Sequence, residues 1–184
     1  SDAVAVNQDG LTITSDGAAV TSAEDTDAFS VAADGVTIDS TTVDVDGNAD
    51  AVTLTSAVDS VTLTDNTFDL IGASTDGTAI ASTSATSPVD ATIEDNTFTA
   101  DGTVDERFVD DSANGVLDLT TIFEENAFPD GAALAADAGV IDPTVQSAQD
   151  AAGTDDTVVV SAGTYDEQVV VDTTGLTLES VDGT

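Results

Sequence analysis

The chain has 184 residues, with 37 Asp plus Glu against a single Arg, Arg107, no Lys and no His, for a formal net charge of −36. With no row of cations to neutralise phosphates, nucleic acid and anionic membranes are poor partners, and neither nucleic-acid binding nor membrane insertion is expected. Cys and Met are absent, which excludes disulfides, thiolate metal sites and cysteine nucleophiles, and no stretch reaches the ~20 apolar residues of a membrane span.

In chain order, Leu11 and Ile13 open a pattern of alternating apolar residues that returns at Val36/Ile38, Val61/Leu63, Ala91/Ile93 and Thr121-Ile-Phe123. Alternation is the period of a strand with one buried face, so the sequence predicts five copies of one strand. The last three copies run on into Asn66-Thr-Phe68, Asn96-Thr-Phe98 and Asn126-Ala-Phe128, spaced by 30 residues. Thr41 and Val43 take the Asn and Phe places in the second copy, 25 residues before Asn66 and Phe68. Each period holds another short alternating run: Phe29-Ser-Val31, Val52-Thr-Leu54, Thr78-Ala-Ile80 and Phe108-Val109. Gly, Asp, Asn and Ser clusters separate the runs, as turns require.

Strands recurring in phase every 25 to 30 residues, with no long helix between them, fit a solenoid and not a sandwich, whose equivalent positions do not recur in phase. Stacking would place Leu63 over Ile93 and Phe123, and Phe68 over Phe98 and Phe128, as two apolar interior columns. Asn66, Asn96 and Asn126 would form a third column, because an amide that donates and accepts can bond its own copy one level away.

The Ile93-Glu-Asp-Asn96-Thr-Phe98 type of repeat resembles that of right-handed parallel β-helices of the pectin-lyase-like and NosD-like group. The resemblance covers most of residues 10 to 128 and implies an all-β fold, a right-handed parallel β-helix with a short α-helical connector or cap.

Beyond Phe128 the pattern changes. Gly131 to Asp137, rich in Ala, is expected as a turn or two of helix. Asp142-Pro143 is read as N-cap and first helical position of a helix over 143 to 152, stopped by Gly153, with Val145, Ala148, Ala151 and Ala152 on one face. The following Asp156 to Val171, with Gly163-Thr-Tyr165, and then Gly175-Leu-Thr-Leu178 resemble the opening of pectin-lyase-like β-helices. In that family a short helix caps the first coil and a Gly-Thr-Tyr turn follows its first strand.

The expected organisation is therefore 1–128 as coils from the middle and end of one stack, 129–153 as helical connector and cap, and 154–184 as the opening coil of the next β-helix, continuing into a following unit. Joined end to start, Gly175-Leu-Thr-Leu178 through Thr184 and Ser1 through Gly10-Leu11-Thr-Ile13 read as an uninterrupted run of coils. The expectation is one period of a longer protein or polymer, either covalent tandem units or subunits stacked head to tail.

So one-sided a charge repels itself at low ionic strength, and multimolar salt screens it. The chain reads as a protein of an extreme halophile, specifically a haloarchaeal surface or filament protein, with hydrated Na⁺ and K⁺ as general counter-ions. Lyases of the resembled family use Arg or Lys as base, and its polygalacturonases use clustered Asp with a supporting His. With Arg107 alone, no enzyme is expected; the pairs Asp110/Asp111 and Glu124/Glu125 are read as solvated faces, and Arg107 as a partner of Asp105, Glu106 or Asp110. Asp44-Val-Asp46-Gly-Asn48-Ala-Asp50 alternates oxygen ligands like a calcium loop, making Asp44, Asp46, Asn48 and Asp50 a weak Ca²⁺ candidate without the later Glu of that motif. The function expected is a structural, extracellular cell-surface module whose partner is itself. The alternative is a glycan-binding or polysaccharide-cleaving β-helix, disfavoured by the lack of Trp and by Tyr165 belonging to the opening motif.

Overall fold

A computed structural model of the chain describes residues 3–22, 25–55, 58–70, 77–83, 89–101 and 106–181. The first pass of the chain forms β1 (Val4–Val6), β2 (Thr12–Thr14) and β3 (Ala19–Thr21). The second forms β4 (Phe29–Val31), β5 (Val36–Asp39) and β6 (Thr42–Asp44), and the third β7 (Asp50–Leu54), β8 (Ser60–Thr64) and β9 (Thr67–Asp69). A fourth gives β10 (Thr78–Ser82), β11 (Asp90–Glu94) and β12 (Thr97–Thr99), before β13 (Arg107–Asp110). Each strand pairs in parallel with its counterpart in the next pass, so three sheets grow side by side: β1-β4-β7-β10-β13, β2-β5-β8-β11 and β3-β6-β9-β12. The protein is thus mostly parallel β-structure, compatible with a β-helix.

The alternating residues meet in register as expected. Ile13, Ile38, Leu63 and Ile93 pair across the second sheet, and Val43, Phe68 and Phe98 across the third. All but Ile13, at the end of the stack, are buried. Each fully buried Leu, Ile or Phe contributes roughly 1.5–3 kcal/mol, which makes these columns the main support of the fold. Ser40, Asp65 and Asp95 stand at the corner between second and third sheets with φ of 53°, 54° and 57°. Short polar side chains tolerate this left-handed backbone, and the sharp corner turns the next residue inward.

The fifth copy departs from expectation. Thr121-Ile-Phe123 lies not in a strand but in helix α1 (Leu119–Glu125), capped by Asp118, whose carboxylate accepts from Thr121 N at 3.2 Å. Ile122 and Phe123 are still buried, because apolar neighbours serve a helix facing the core as well as a strand, and the pairing resumes at Ala127 beside Thr97.

The segment 129–153, expected as helical, contains two strands and one helix. Ala133 to Ala135, within the predicted Ala-rich helix, forms β14 (Ala133–Ala135), followed by β15 (Val140–Asp142) and α2 (Val145–Ala151). Tertiary pairing overrides propensity here, since β14 is bordered by antiparallel β15 and β16 (Thr157–Val160). Helix α2 starts later than predicted: Thr144 is its N-cap, with Oγ1 accepting from Ser147 N at 3.1 Å, while Asp142 ends β15 with its side chain buried. The carboxylate of Glu167 accepts from the N–H groups of Val145 and Gln146 at 2.8 and 3.0 Å. Finally β17 (Thr177–Ser180) pairs in parallel with β16, 20 residues on in register.

The first sheet therefore continues through β13-β15-β14-β16-β17, nine strands among the described residues. The core changes sides along it. Phe29, Val52, Ile80, Val109, Ile141 and Leu134 face the main core, whereas Ala135, Val140 and Val158 face a second core beneath α2. The small Ala133, Ala135, Ala148 and Ala152 let the helix lie close against the sheet.

Candidate functional site

The ladder residues expected from the repeat come together. Asn66 and Asn96 are buried at the corner between the second and third sheets, and Asn126 holds the corresponding place after α1. Asn126 Oδ1 accepts from Asn96 N and Nδ2, both at 2.9 Å; Asn96 Oδ1 accepts from Asn66 N and Nδ2 at 2.9 and 3.0 Å. Asn66 Oδ1 in turn accepts from Thr41 N at 3.0 Å, which closes the ladder on the residue that replaces Asn. The amide nitrogens donate to carbonyls across the corner, Asn66 to Ile38, Asn96 to Leu63 and Asn126 to Ile93, at 2.7–2.9 Å. Beside it Phe68, Phe98 and Phe128 stack with centroids 5.1 and 5.3 Å apart. Phe108 tilts against Phe98 and Phe128, and Phe123 against Phe128. These columns are architecture: every polar atom is turned to the backbone of a neighbouring pass.

A more polar array lies on the first sheet. Asp27 Oδ2 accepts from Thr53 Oγ1 at 2.6 Å, its Oδ1 from Asp50 N at 3.2 Å, and Asp50 Oδ2 stands 3.3 Å from the same Thr53 hydroxyl. Burial and the Asp27 carboxylate push Asp50 up to about 6, against hydrogen bonds from Thr53 and Thr78 that lower it. Asp50, Thr78, Ser82, Asp110 and Ser112 line a shallow groove of about 260 Å³. Asp110 of this groove also pairs with Arg107, whose Nη1 lies 3.0 Å from Asp110 Oδ2 and whose Nε lies 3.7 Å from buried Asp142 Oδ1. The pairing with Asp110 follows the sequence expectation, whereas Asp142, distant in sequence, gave no such signal; Asp105 lies outside the described residues.

The remaining candidates diverge. Asp110 Oδ1 accepts from Ser112, but Asp111 is buried and its Oδ2 accepts from Leu117 N at 2.8 Å, so the two carboxylates are directed apart. Glu124 and Glu125 are exposed on α1. In the calcium-like stretch, Val45, Gly47 and Ala49 are buried and alternate with Asp44, Asp46, Asn48 and Asp50. Gly47, with φ of 70°, and the turn at Asn48 bend the chain between β6 and β7. Asp46 N donates to Ser22 Oγ, Asn48 Nδ2 donates to Asp25 Oδ1, and Asp50 belongs to the groove. Among the described residues no group of three or more acidic side chains is gathered as a metal shell. Tyr165, in the Gly-Thr-Tyr turn, donates its hydroxyl to the Ala132 carbonyl at 3.0 Å and borders a cleft with Asp101, Asp130, Asp166 and Glu167.

Comparison with protein-family models, with curated proteins and with solved structures finds no match to this chain.

Proposed function

We propose that the chain is a structural module, a right-handed parallel β-helix repeat of a salt-adapted extracellular surface protein or filament, which acts by length, rigidity and acidic surface and assembles head to tail with itself. The observation that carries this reading is the exposed apolar side chains at the two edges of the described stack. Val4 and Leu11 are 48% and 36% exposed at one end of the stack. Val170, Val171, Leu178 and Val181 are 43% to 52% exposed at the other. Apolar edge strands of this kind are templates for further pairing, and a head-to-tail contact that does not close on itself makes a filament. Sedimentation and electron microscopy of the 184-residue chain in ~3 M NaCl, where charge is screened, test it. Concentration-dependent growth into rods is expected; a monomer at all concentrations overturns the reading.

A glycan-cleaving activity is the second reading, and one observation favours it: Asp50, raised to about 6 in a groove it shares with Asp110, is a carboxyl able to donate a proton. Release of reducing ends from a panel of acidic and neutral polysaccharides, lost in Asp50→Asn, would support this alternative. No release from any of them sinks it.

A further inference from the structure

The self-assembly proposed above leaves open which edges meet, and the inference that follows rests on that reading. The second sheet is built from one short motif stacked on itself: Gly10-Leu-Thr-Ile13, Gly35-Val-Thr-Ile38, Ser60-Val-Thr-Leu63 and Asp90-Ala-Thr-Ile93, with Thr over Thr and the apolar ends over one another. The same motif returns at β17 as Gly175-Leu-Thr-Leu178, although β17 lies in the first sheet. Gly10, Gly35 and Gly175 share the same left-handed backbone, with φ of 69°, 65° and 75°. The segment preceding each outer copy also agrees: Val4-Ala-Val6 stands seven residues before Leu11, and Val169-Val-Val171 stands seven before Leu176. Val6 is buried in the main core, and Val169 and Leu176 pack on the second. Among the described strands β2 is bordered only by β5, and β17 only by β16.

We infer that the partner is a second copy of this chain, whose β2 pairs in parallel with β17 in the register Leu176/Leu11, Thr177/Thr12, Leu178/Ile13, while its β1 lies along Val169–Val171. In this register every core-facing residue meets a core-facing residue. Leu178 pairs with Val158 of the second core, and Ile13 packs on the main one. The alternative, β17 against the incoming β1, continues the first sheet by itself but matches no motif and leaves Val169–Val171 uncovered.

The junction also fixes how successive copies lie. Three antiparallel pairings, β13/β15, β15/β14 and β14/β16, turn β16 and β17 opposite to the strands of the main stack, and the core lies on the opposite face. Reversing strand sense and core face together is a half-turn about the stacking direction, which preserves the hand of the winding; either change alone would invert it. The incoming copy therefore builds its stack on the far side of the shared sheet. The first sheet of one copy thus continues as the second sheet of the next. Copies are staggered sideways by at least the ~10 Å between packed layers and rise by nine strands, roughly 43 Å each.

The chain has no cysteine, so crosslinking is clean. Thr12, Ala5 and Thr177 are exposed, and Cys there leaves the core intact. Chains carrying Thr177→Cys are mixed in ~3 M NaCl with chains carrying either Thr12→Cys or Ala5→Cys and oxidised, and assembly is followed in parallel by sedimentation of the unmodified chain. The expected result is covalent dimer from Thr177→Cys with Thr12→Cys in roughly tenfold excess over single-variant controls, because assembled neighbours meet at high effective concentration. Dimer from Thr177→Cys with Ala5→Cys instead overturns the register. Assembly with neither crosslink overturns it too while leaving self-assembly standing, and a chain that sediments as a monomer overturns both.

Discussion

Asp27 and Asp50 converge on one hydroxyl: Thr53 Oγ1 lies 2.6 Å from Asp27 Oδ2 and 3.3 Å from Asp50 Oδ2, while Asp50 N donates to Asp27 Oδ1 at 3.2 Å. A single hydroxyl proton cannot serve both carboxylates, and two like charges so near one another favour keeping a proton on one of them.

Stability is accordingly predicted to fall as pH rises across this pair. Asp50 is raised from 3.8 to about 6 in the folded chain, so between those values the folded state holds a proton that the unfolded state has lost. The stabilising contribution is full below about pH 4 and is lost as pH passes through about 6. Asp50→Asn removes this penalty, and at pH 7 the variant should be more stable by on the order of 2 kcal/mol, with the gain vanishing near pH 4. Denaturant unfolding of both chains from pH 4 to 8 checks it; parallel profiles would count against the pair.

The ladder gives a prediction of opposite sign. Asn96→Ala removes the oxygen that satisfies Asn66 N and the amide that satisfies the Leu63 carbonyl, all inside the protein. Each buried group left unsatisfied costs about 1–3 kcal/mol, so a loss of roughly 3–5 kcal/mol is expected. Asn126→Ala, half-buried at the end of the ladder, should cost clearly less. Equal losses at the two positions would mean that the column acts as three separate turns and not as a ladder.

These columns were legible in the sequence because a repeat in phase places like on like, and the registers Leu63/Ile93 and Phe68/Phe98 needed only that rule. The same rule misread Thr121-Ile-Phe123, where Asp118 with Thr121 three residues later was the available helix-start signal. Ala133–Ala135 was unreadable for a different reason. Its strand exists because β15 and β16 flank it, and small residues that favour a helix in isolation are needed there to admit α2. Around the candidate groove, stacking of successive passes brings Asp27 to Asp50, and the antiparallel pairing of β13 with β15 brings Asp142 to Arg107; no local motif marks either.

Glu167 supplies the third prediction. Its two carboxylate oxygens accept from Val145 and Gln146 at the start of α2, from a position 22 residues further along the chain. Glu167→Ala frees both N–H groups and removes a negative charge from the positive end of the helix, at a cost of about 1–2 kcal/mol. Glu167→Gln retains one acceptor and should lose less. Amide exchange should quicken in α2 and leave β5 and β8 unchanged; uniform quickening would show that α2 is not a separate element of stability.

The charge itself yields the last prediction. Asp9 accepts from Asp34 N, and Asp34 accepts from Asp59 N, so three carboxylates stand one above another at successive levels of the stack. Strand pairing fixes the levels ~4.8 Å apart, and at 0.1 M salt, where the screening length is ~10 Å, all three charges interact. Asp34→Asn keeps a side-chain oxygen for Asp59 N but removes the central charge. It should therefore raise the melting temperature at ~0.1 M NaCl and have little effect at ~1 M, where screening falls to ~3 Å. The unmodified chain should gain stability steeply over the same range, equally with NaCl and KCl, because screening depends on ionic strength and not on the identity of the cation. Thermal unfolding of both chains across the salt series is the measurement. An Asp34→Asn advantage that persists undiminished at high salt would trace to something other than repulsion along this column.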